Sequence, residues 1–303
     1  MKYHAEIENI NCRLDTFITE MSENISRSKI QTLIKNGNVL VNGKLQKSSY
    51  KINEGDIIDV LSDDLSSISI EPQKIDLNIV YEDDNMLVVN KPSGMLTHPT
   101  MNERDNTLVN ALLYKYGNNL SDINGEFRRG ILHRLDRNTS GLLMIAKNNK
   151  SHEFLANQIK TKTALRSYLA ITRGVIKSDD GIIDLPIARN TKNPEKMSVV
   201  ENGKPSITEY HVIERFQNYT YVELTLKTGR THQIRVHLSY TGTPVFNDTL
   251  YGMKKLEKIK PQEQVLQAYK LRFTKPFTNE IIQLEIEPDE KISRVLKYLR
   301  GVK

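Results

Sequence analysis

At 303 residues the chain has room for one large or two moderate domains with a substantial core, and its 38% hydrophobic and 26% charged residues mark it as globular. One cysteine, Cys12, excludes an internal disulfide and any zinc site built on several cysteines, the Cys-x-x-Cys pair of zinc deaminases included. The formal charge of +6 suits an anionic partner such as nucleic acid. No apolar run reaches membrane-span length, and Met1–Glu20 lacks a signal-peptide core, so a cytoplasmic protein is expected.

Residues 1–65 read as a small separate module. Leu14, Phe17 and Ile18 fall at helical spacing, as do Ile30, Leu33 and Ile34, with Ser26 placed to cap the second helix and Gly37 to end it. Val39-Leu40-Val41 and Lys44-Leu45 flank Asn42-Gly43, a strong hairpin signal, and Ile57-Ile58-Asp59-Val60 predicts a further strand. Arg13, Arg27, Lys29 and Lys35 spread positive charge over the helices. The run from Leu61 to Pro72 is rich in Ser and Asp, and residues 66–74 are expected to form a linker.

The rest, residues 75–303, reads as one larger domain. Ile79–Tyr81 and Met86–Val89 are strand-like around a polar turn, and Thr107–Tyr114 has a helical apolar face. His133-Arg134-Leu135-Asp136-Arg137 places one carboxylate between two arginines, followed by a turn, Asn138-Thr139-Ser140-Gly141, and a buried strand, Leu142–Ala146. On charge pattern alone Asp136 is a surface ion pair with Arg134 or Arg137. His152–Thr163 predicts a helix, Arg166–Gly174 a strand, and the proline-broken run Asp180–Lys204 loops with short edge strands. Thr220–Leu226 alternates as a strand, Thr231–Leu238 is expected to continue beyond a turn in extended form, and Lys291–Leu299 predicts a terminal helix. Extended backbone puts His232 and His237 on opposite faces, which argues against a metal.

Several of these segments, in order, resemble RluA/RluD-type pseudouridine synthases. They are Asn90-Lys91-Pro92-Ser93-Gly94, His133-Arg134-Leu135-Asp136 with Thr139-Ser140-Gly141-Leu142-Leu143, the strand around Tyr168, and Gly229-Arg230-Thr231-His232-Gln233-Ile234-Arg235-Val236-His237-Leu238. The N-terminal module, with Arg13-Leu14-Asp15 and Ser26-Arg27-Ser28, resembles the αL-type RNA-binding domain named after a small-subunit ribosomal protein. The chain departs from the family pattern at Asn247, where glycine is usual, and at Gln267, where histidine is usual.

The resemblance implies an α+β protein: a small α/β RNA-binding domain, then a catalytic domain on a mixed, largely antiparallel sheet with the pseudouridine synthase fold. It implies Asp136 as catalytic carboxylate, Tyr168 beside the base and Arg230 as the carboxylate's partner. It also implies RNA contact through Arg134, Arg13, Arg27 and Lys29, with large-subunit ribosomal RNA as substrate. Moving uracil from its N1 to its C5 linkage involves no net redox change, so neither metal nor cofactor is expected, and there is no Gly-x-Gly-x-x-Gly or phosphate loop to hold one. Attack on C1′ and abstraction of the C2′ proton are both open to Asp136. A non-catalytic RNA-binding or ribosome-assembly factor on the same fold, and a base-releasing glycosidase, are the competing readings. A monomer is expected.

Overall fold

A computed structural model of the chain describes residues 2–5, 9–22, 27–61, 70–100, 103–252, 261 and 263–301. The chain divides into two compact units: Met1–Glu71 with His98–Asp105 and Gly125–Phe127, and Pro72–Thr97 with Asn106–Asn124 and Arg128–Lys303. The Ser26 cap, the Lys29 side chain and residues 66–69 of the expected linker lie outside what is described.

The first unit runs β1 (Lys2–His4), α1 (Leu14–Ser22), α2 (Arg27–Lys35), β2 (Val39–Val41), β3 (Lys44–Leu45) and β4 (Ile57–Val60). Its antiparallel sheet has the order β1-β4-β2-β3. Asn42 and Gly43 both take positive φ, 51° and 73°, as a type I′ turn between β2 and β3 requires. The helical triplets Leu14, Phe17, Ile18 and Ile30, Leu33, Ile34 meet Val39, Val41, Ile52, Ile58 and Val60 in one core. Asp15 is fully buried beside it, bonded to Arg13 at 3.0 Å, Arg27 at 3.0 Å and Gln31 at 2.8 Å. Burial raises its pKa, but these donors outweigh burial and hold the carboxyl well below the usual range.

The second unit is built on a nine-stranded sheet. In chain order it contains β5 (Ile79–Glu82), β6 (Met86–Lys91), α3 (Leu108–Tyr116), β7 (Ser140–Ala146), α4 (Asn149–Lys160), β8 (Leu165–Arg173) and β9 (Asp180–Asp184). The pair β10 (Ile187–Arg189) and β11 (Met197–Val199) stands apart as its own two-stranded sheet. Then come β12 (Ile207–Arg215), β13 (Tyr219–Leu226), α5 (Gln233–Tyr240), β14 (Leu266–Thr274), β15 (Ile281–Glu285) and α6 (Glu290–Leu299). The large sheet has the order β5-β6-β7-β14-β8-β13-β12-β9, with β15 also on β14. The β7–β14 pairing is parallel and the other pairings described within this sheet are antiparallel. This is the mixed, largely antiparallel sheet that the sequence led us to expect.

Strand alternation assigns the faces. Leu169 and Ile171 of β8 pack with Ile292, Val295 and Leu296 of α6. Tyr168, one residue out of phase with them, points to the opposite face. Burying each of those α6 side chains is worth about 1.5–3 kcal/mol as an upper bound. The start of α6 is fixed by Asp289, which accepts from the N–H of Ile292 at 2.9 Å and from the Ser140 hydroxyl at the start of β7.

The extended form expected for Thr231–Leu238 is corrected: residues 233–240 form α5. The alternation of Ile234, Val236 and Leu238 suggested a strand, but Gln233 to Leu238 are all buried, so no polar face exists to reveal a helical period. His232 precedes the helix in a left-handed conformation, φ 56°.

Gly141 sits where β7 meets β14, at φ +115°, and a Cβ there would lie 2.1 Å from the carbonyl oxygen of Ala268. Backbone cannot move aside as a flexible side chain can. Gly141→Ala is expected to lose at least about 3 kcal/mol in urea unfolding. Gly43→Ala, with nothing within 4 Å of its Cβ, should lose only about 1–2 kcal/mol from its positive φ.

Candidate active site

Asp136 lies on the loop entering β7, and that loop is tied down along its length. The Thr97 hydroxyl donates to the Leu135 carbonyl at 2.8 Å, and the N–H of Thr139 to the Asp136 carbonyl at 3.0 Å. Lys91 is fully buried, its Nζ on the carbonyls of Pro92 at 2.9 Å, Met95 at 2.8 Å and Arg137 at 3.1 Å. Burial pushes its pKa down to about 7, although three carbonyl acceptors suit the three protons of an ammonium. Lys291 of α6 reaches the Asn138 carbonyl at 2.6 Å, the Ser93 hydroxyl at 2.9 Å and the Gln264 carbonyl at 3.2 Å. Neither lysine was singled out from sequence, because each acts on backbone that only folding brings near. The residues at 90–94 that carried the family resemblance thus hold the Asp136 loop.

The cation on Asp136 is Arg235, not Arg230. Arg235 Nη1 donates to Asp136 Oδ2 at 2.8 Å, while its Nε and Nη2 hold both oxygens of the fully buried Asp248 at 2.7 and 2.9 Å. Arg230 instead donates through Nε to the Pro205 carbonyl at 3.3 Å. The helix explains the difference: Arg230 lies in the turn before it, while Arg235, its third residue, projects from the buried face. Asp248 also caps its own turn, accepting the N–H groups of Leu250 and Tyr251 at 2.9 Å each. One carboxylate thereby fixes the arginine that fixes the other.

Burial raises the pKa of Asp136, whose side chain is only 18% exposed. The cationic form of His232, the charge and hydrogen bond of Arg235 and the charge of Arg134 more than offset this and hold the carboxyl below its ordinary value. Burial lowers the pKa of His232 itself. Arg134 is exposed on the same loop. Tyr168 is buried on β8, and burial raises its pKa, Arg166 opposing and Asp136 adding to the effect. A tyrosine with a raised pKa keeps its proton at neutral pH, which favours stacking over proton abstraction.

His237 is fully buried, with Nδ1 on Thr208 Oγ1 at 2.9 Å and Nε2 on the Leu185 carbonyl at 3.0 Å. Both ring nitrogens are occupied by the protein's own groups. Among the described residues no cluster of three or more His, Cys, Asp or Glu is placed to hold a metal. The two departures from the family pattern have structural accounts. Asn247 takes φ 52°, a conformation in which asparagine is the best substitute for glycine. Gln267 is 1% exposed and bonds the Glu287 carbonyl and the Asp289 N–H at 2.9 and 2.8 Å. It braces the start of α6. In the first unit, Arg13 and Arg27 serve Asp15 while staying 38% and 51% exposed.

Among known proteins, this chain is similar to the RNA pseudouridylate synthases. The family model of that description matches residues 85–240, and an S4 domain model matches residues 12–58. The chain belongs to the RNA pseudouridylate synthase family, and it is an enzyme that isomerises uridine in RNA. It is 44% identical over 296 residues to the uncharacterized RNA pseudouridine synthase YlyB of Bacillus subtilis, covering 98% of this chain and 97% of that one. It is 38% identical to ribosomal large subunit pseudouridine synthase D of Zymomonas mobilis, covering 96% and 95% of the two chains. Among solved structures, human RNA pseudouridylate synthase domain containing 1 superposes with a TM-score of 0.58 at 27% identity, over 76% of this chain and 97% of that one. No helix among the described residues is long and apolar enough to cross a membrane.

Proposed function

We propose that the enzyme converts specific uridines of large-subunit ribosomal RNA to pseudouridine, with Asp136 as the reacting carboxylate. The observation that carries the chemistry is the Asp248–Arg235–Asp136 chain, which presents one ionised carboxylate at a partly open site. Full-length likeness to ribosomal large subunit pseudouridine synthase D supports the choice of RNA.

In this reading the target nucleotide leaves its stack, at a cost of a few kcal/mol, and Arg134 stacks on the bases left behind. Asp136 either attacks C1′ or takes the C2′ proton, and the N1–C1′ bond breaks. Arg235 keeps the carboxylate charged and aimed, Tyr168 flanks the uracil, and C5 then bonds to C1′ as Asp136 leaves C1′ or returns the proton to C2′, with C5 losing a proton and N1 gaining one. No metal or cofactor takes part. Arg13, Arg27 and Lys29 of the N-terminal unit contact phosphates and add affinity with little base reading. A ribosomal RNA substrate supports a cytoplasmic enzyme, and the presence of every named group in one copy supports action as a monomer.

Chemical mapping of pseudouridine in cellular RNA, with and without this protein, tests the substrate. Defined large-subunit ribosomal positions should revert to uridine in its absence. Reversion confined to transfer RNA would overturn the assignment. Lys29→Gln should weaken RNA binding across sequences and reduce the slope of log K against log salt by about 0.7–0.9. An unchanged slope would remove Lys29 from the RNA contacts.

A further inference from the structure

Three groups in a row end at the Asp136 oxygen that Arg235 does not touch. The N–H of Met197, in β11, donates to the Tyr251 hydroxyl oxygen at 2.7 Å, and that oxygen lies 2.8 Å from His232 Nδ1. A phenol oxygen already accepting from an amide passes its own proton onward. Burial keeps that proton in place, raising the Tyr251 pKa to about 12. His232 Nδ1 is therefore the acceptor, and the ring hydrogen of neutral histidine sits on Nε2.

Nε2 lies 3.8 Å from Asp136 Oδ1, too far for a hydrogen bond between them. The two side chains are 19% and 18% exposed, so both border the same opening. Here the protein holds a neutral, oriented N–H beside the reacting oxygen without spending it on that oxygen. Three of the five N–H groups of Arg235 are already committed to Asp248 and Asp136.

The chemistry calls for such a donor. Whichever first step Asp136 takes, the N1–C1′ bond breaks with its electron pair going to uracil. The negative charge gathers on N1 and on O2, the carbonyl next to N1 and nearest C1′. The pair is used again when C5 bonds to C1′, C5 gives up its proton and N1 gains one. Charge that exists only during the reaction is best met by a fixed dipole. We propose that His232 is a catalytic residue whose Nε2–H donates to uracil O2 and stabilises the departing uracilate, keeping its own proton throughout. This rests on Asp136 being the reacting carboxylate.

The test crosses a protein change with a substrate change under single-turnover conditions, using a short RNA carrying the target uridine or 2-thiouridine. His232→Asn tolerates the positive φ of 56° but ends short of Nε2. On uridine it should slow the chemical step about 100-fold, with RNA affinity unchanged. His232→Gln, which restores a donor near Nε2, should recover part of that loss. On 2-thiouridine, whose sulfur is a weak acceptor, the wild type should slow and His232→Asn should cost less than about tenfold more, a non-additive pair. Equal losses on both RNAs, a loss confined to affinity, or a full rate for His232→Asn would each overturn the proposal. Asp136→Asn separates the two readings: if it is active, the basis of the proposal fails with it. If it is inert while His232→Asn runs at full rate, only the role of His232 falls.

Discussion

A folded Asp136→Asn protein is expected to bind RNA and form pseudouridine at least about 10⁴-fold more slowly than the wild type, the scale seen when the reacting member of a catalytic unit is removed. Asparagine nearly keeps the shape of aspartate but can neither attack C1′ nor take a proton from C2′. The fold should survive for a specific reason. Arg235 would lose one of its two carboxylates but keep Asp248, which holds it through two bonds at 2.7 and 2.9 Å. The buried guanidinium is therefore not left without a counter-charge, the circumstance that makes breaking buried ion pairs so costly. The loop is held by backbone contacts from Thr97, Lys91 and Lys291 that do not involve the Asp136 side chain. Circular dichroism, RNA binding and pseudouridine mapping on one preparation check all three expectations. Turnover within a hundredfold of the wild type would sink the carboxylate mechanism.

Sequence reasoning succeeded where a local signal and the fold agree. Asn42-Gly43 specifies its turn through backbone conformation alone, and Leu14, Phe17 and Ile18 specify a buried face through spacing alone. The motif around Asp136 was legible through resemblance, whereas its charge pattern suggested a surface pair with Arg134 or Arg137. What was not legible depends on burial and on distance along the chain. In α5 every residue from Gln233 to Leu238 is buried, so a helical period left no trace and the run passed for a strand. Arg230 came from the resemblance, and only the fold shows that Arg235, in the same motif, is the arginine that reaches Asp136. Asp248 stands beside Asn247 in the chain, but its bond to Arg235, thirteen residues earlier, follows only from the fold. Strand β14 pairs with β7, β8 and β15, contacts with no local periodicity to announce them.

Arg235 is expected to govern the pH at which Asp136 works, and its loss should cost roughly a hundredfold at pH 7 and more in acid. Two effects combine. Removing an adjacent opposite charge lets a carboxylate's pKa rise by about 1–3 units, and losing the aim of a reacting group costs about 10²-fold. The direction follows from the forces on Asp136. Burial raises its pKa, Arg235 is foremost among the permanent charges that lower it, and in the intact protein the lowering wins. A depressed folded-state pKa also means that ionised Asp136 stabilises the native state above its unfolded pKa, a contribution lost as pH falls through the folded pKa. The wild-type rate should thus fall only below the ordinary carboxylate range. In Arg235→Gln burial acts with less opposition, the acid limb moves up, and part of the lost activity returns as pH is raised. Arg235→Lys keeps the charge, so its acid limb should move less. One ammonium cannot span Asp248 and Asp136 as the guanidinium fork does, so its rate should recover only in part. Arg235→Gln leaves the fully buried Asp248 without its counter-charge and should lower stability by about 3–5 kcal/mol, the range for breaking a buried pair, while Arg235→Lys, which keeps a cation, should lose less. The profiles are therefore taken only at temperatures where circular dichroism shows a folded chain. The measurement is the single-turnover rate against pH for the wild type, Arg235→Gln and Arg235→Lys. An acid limb that stays in place in folded Arg235→Gln would leave Arg235 a structural brace between two carboxylates, with no electrostatic part in the reaction.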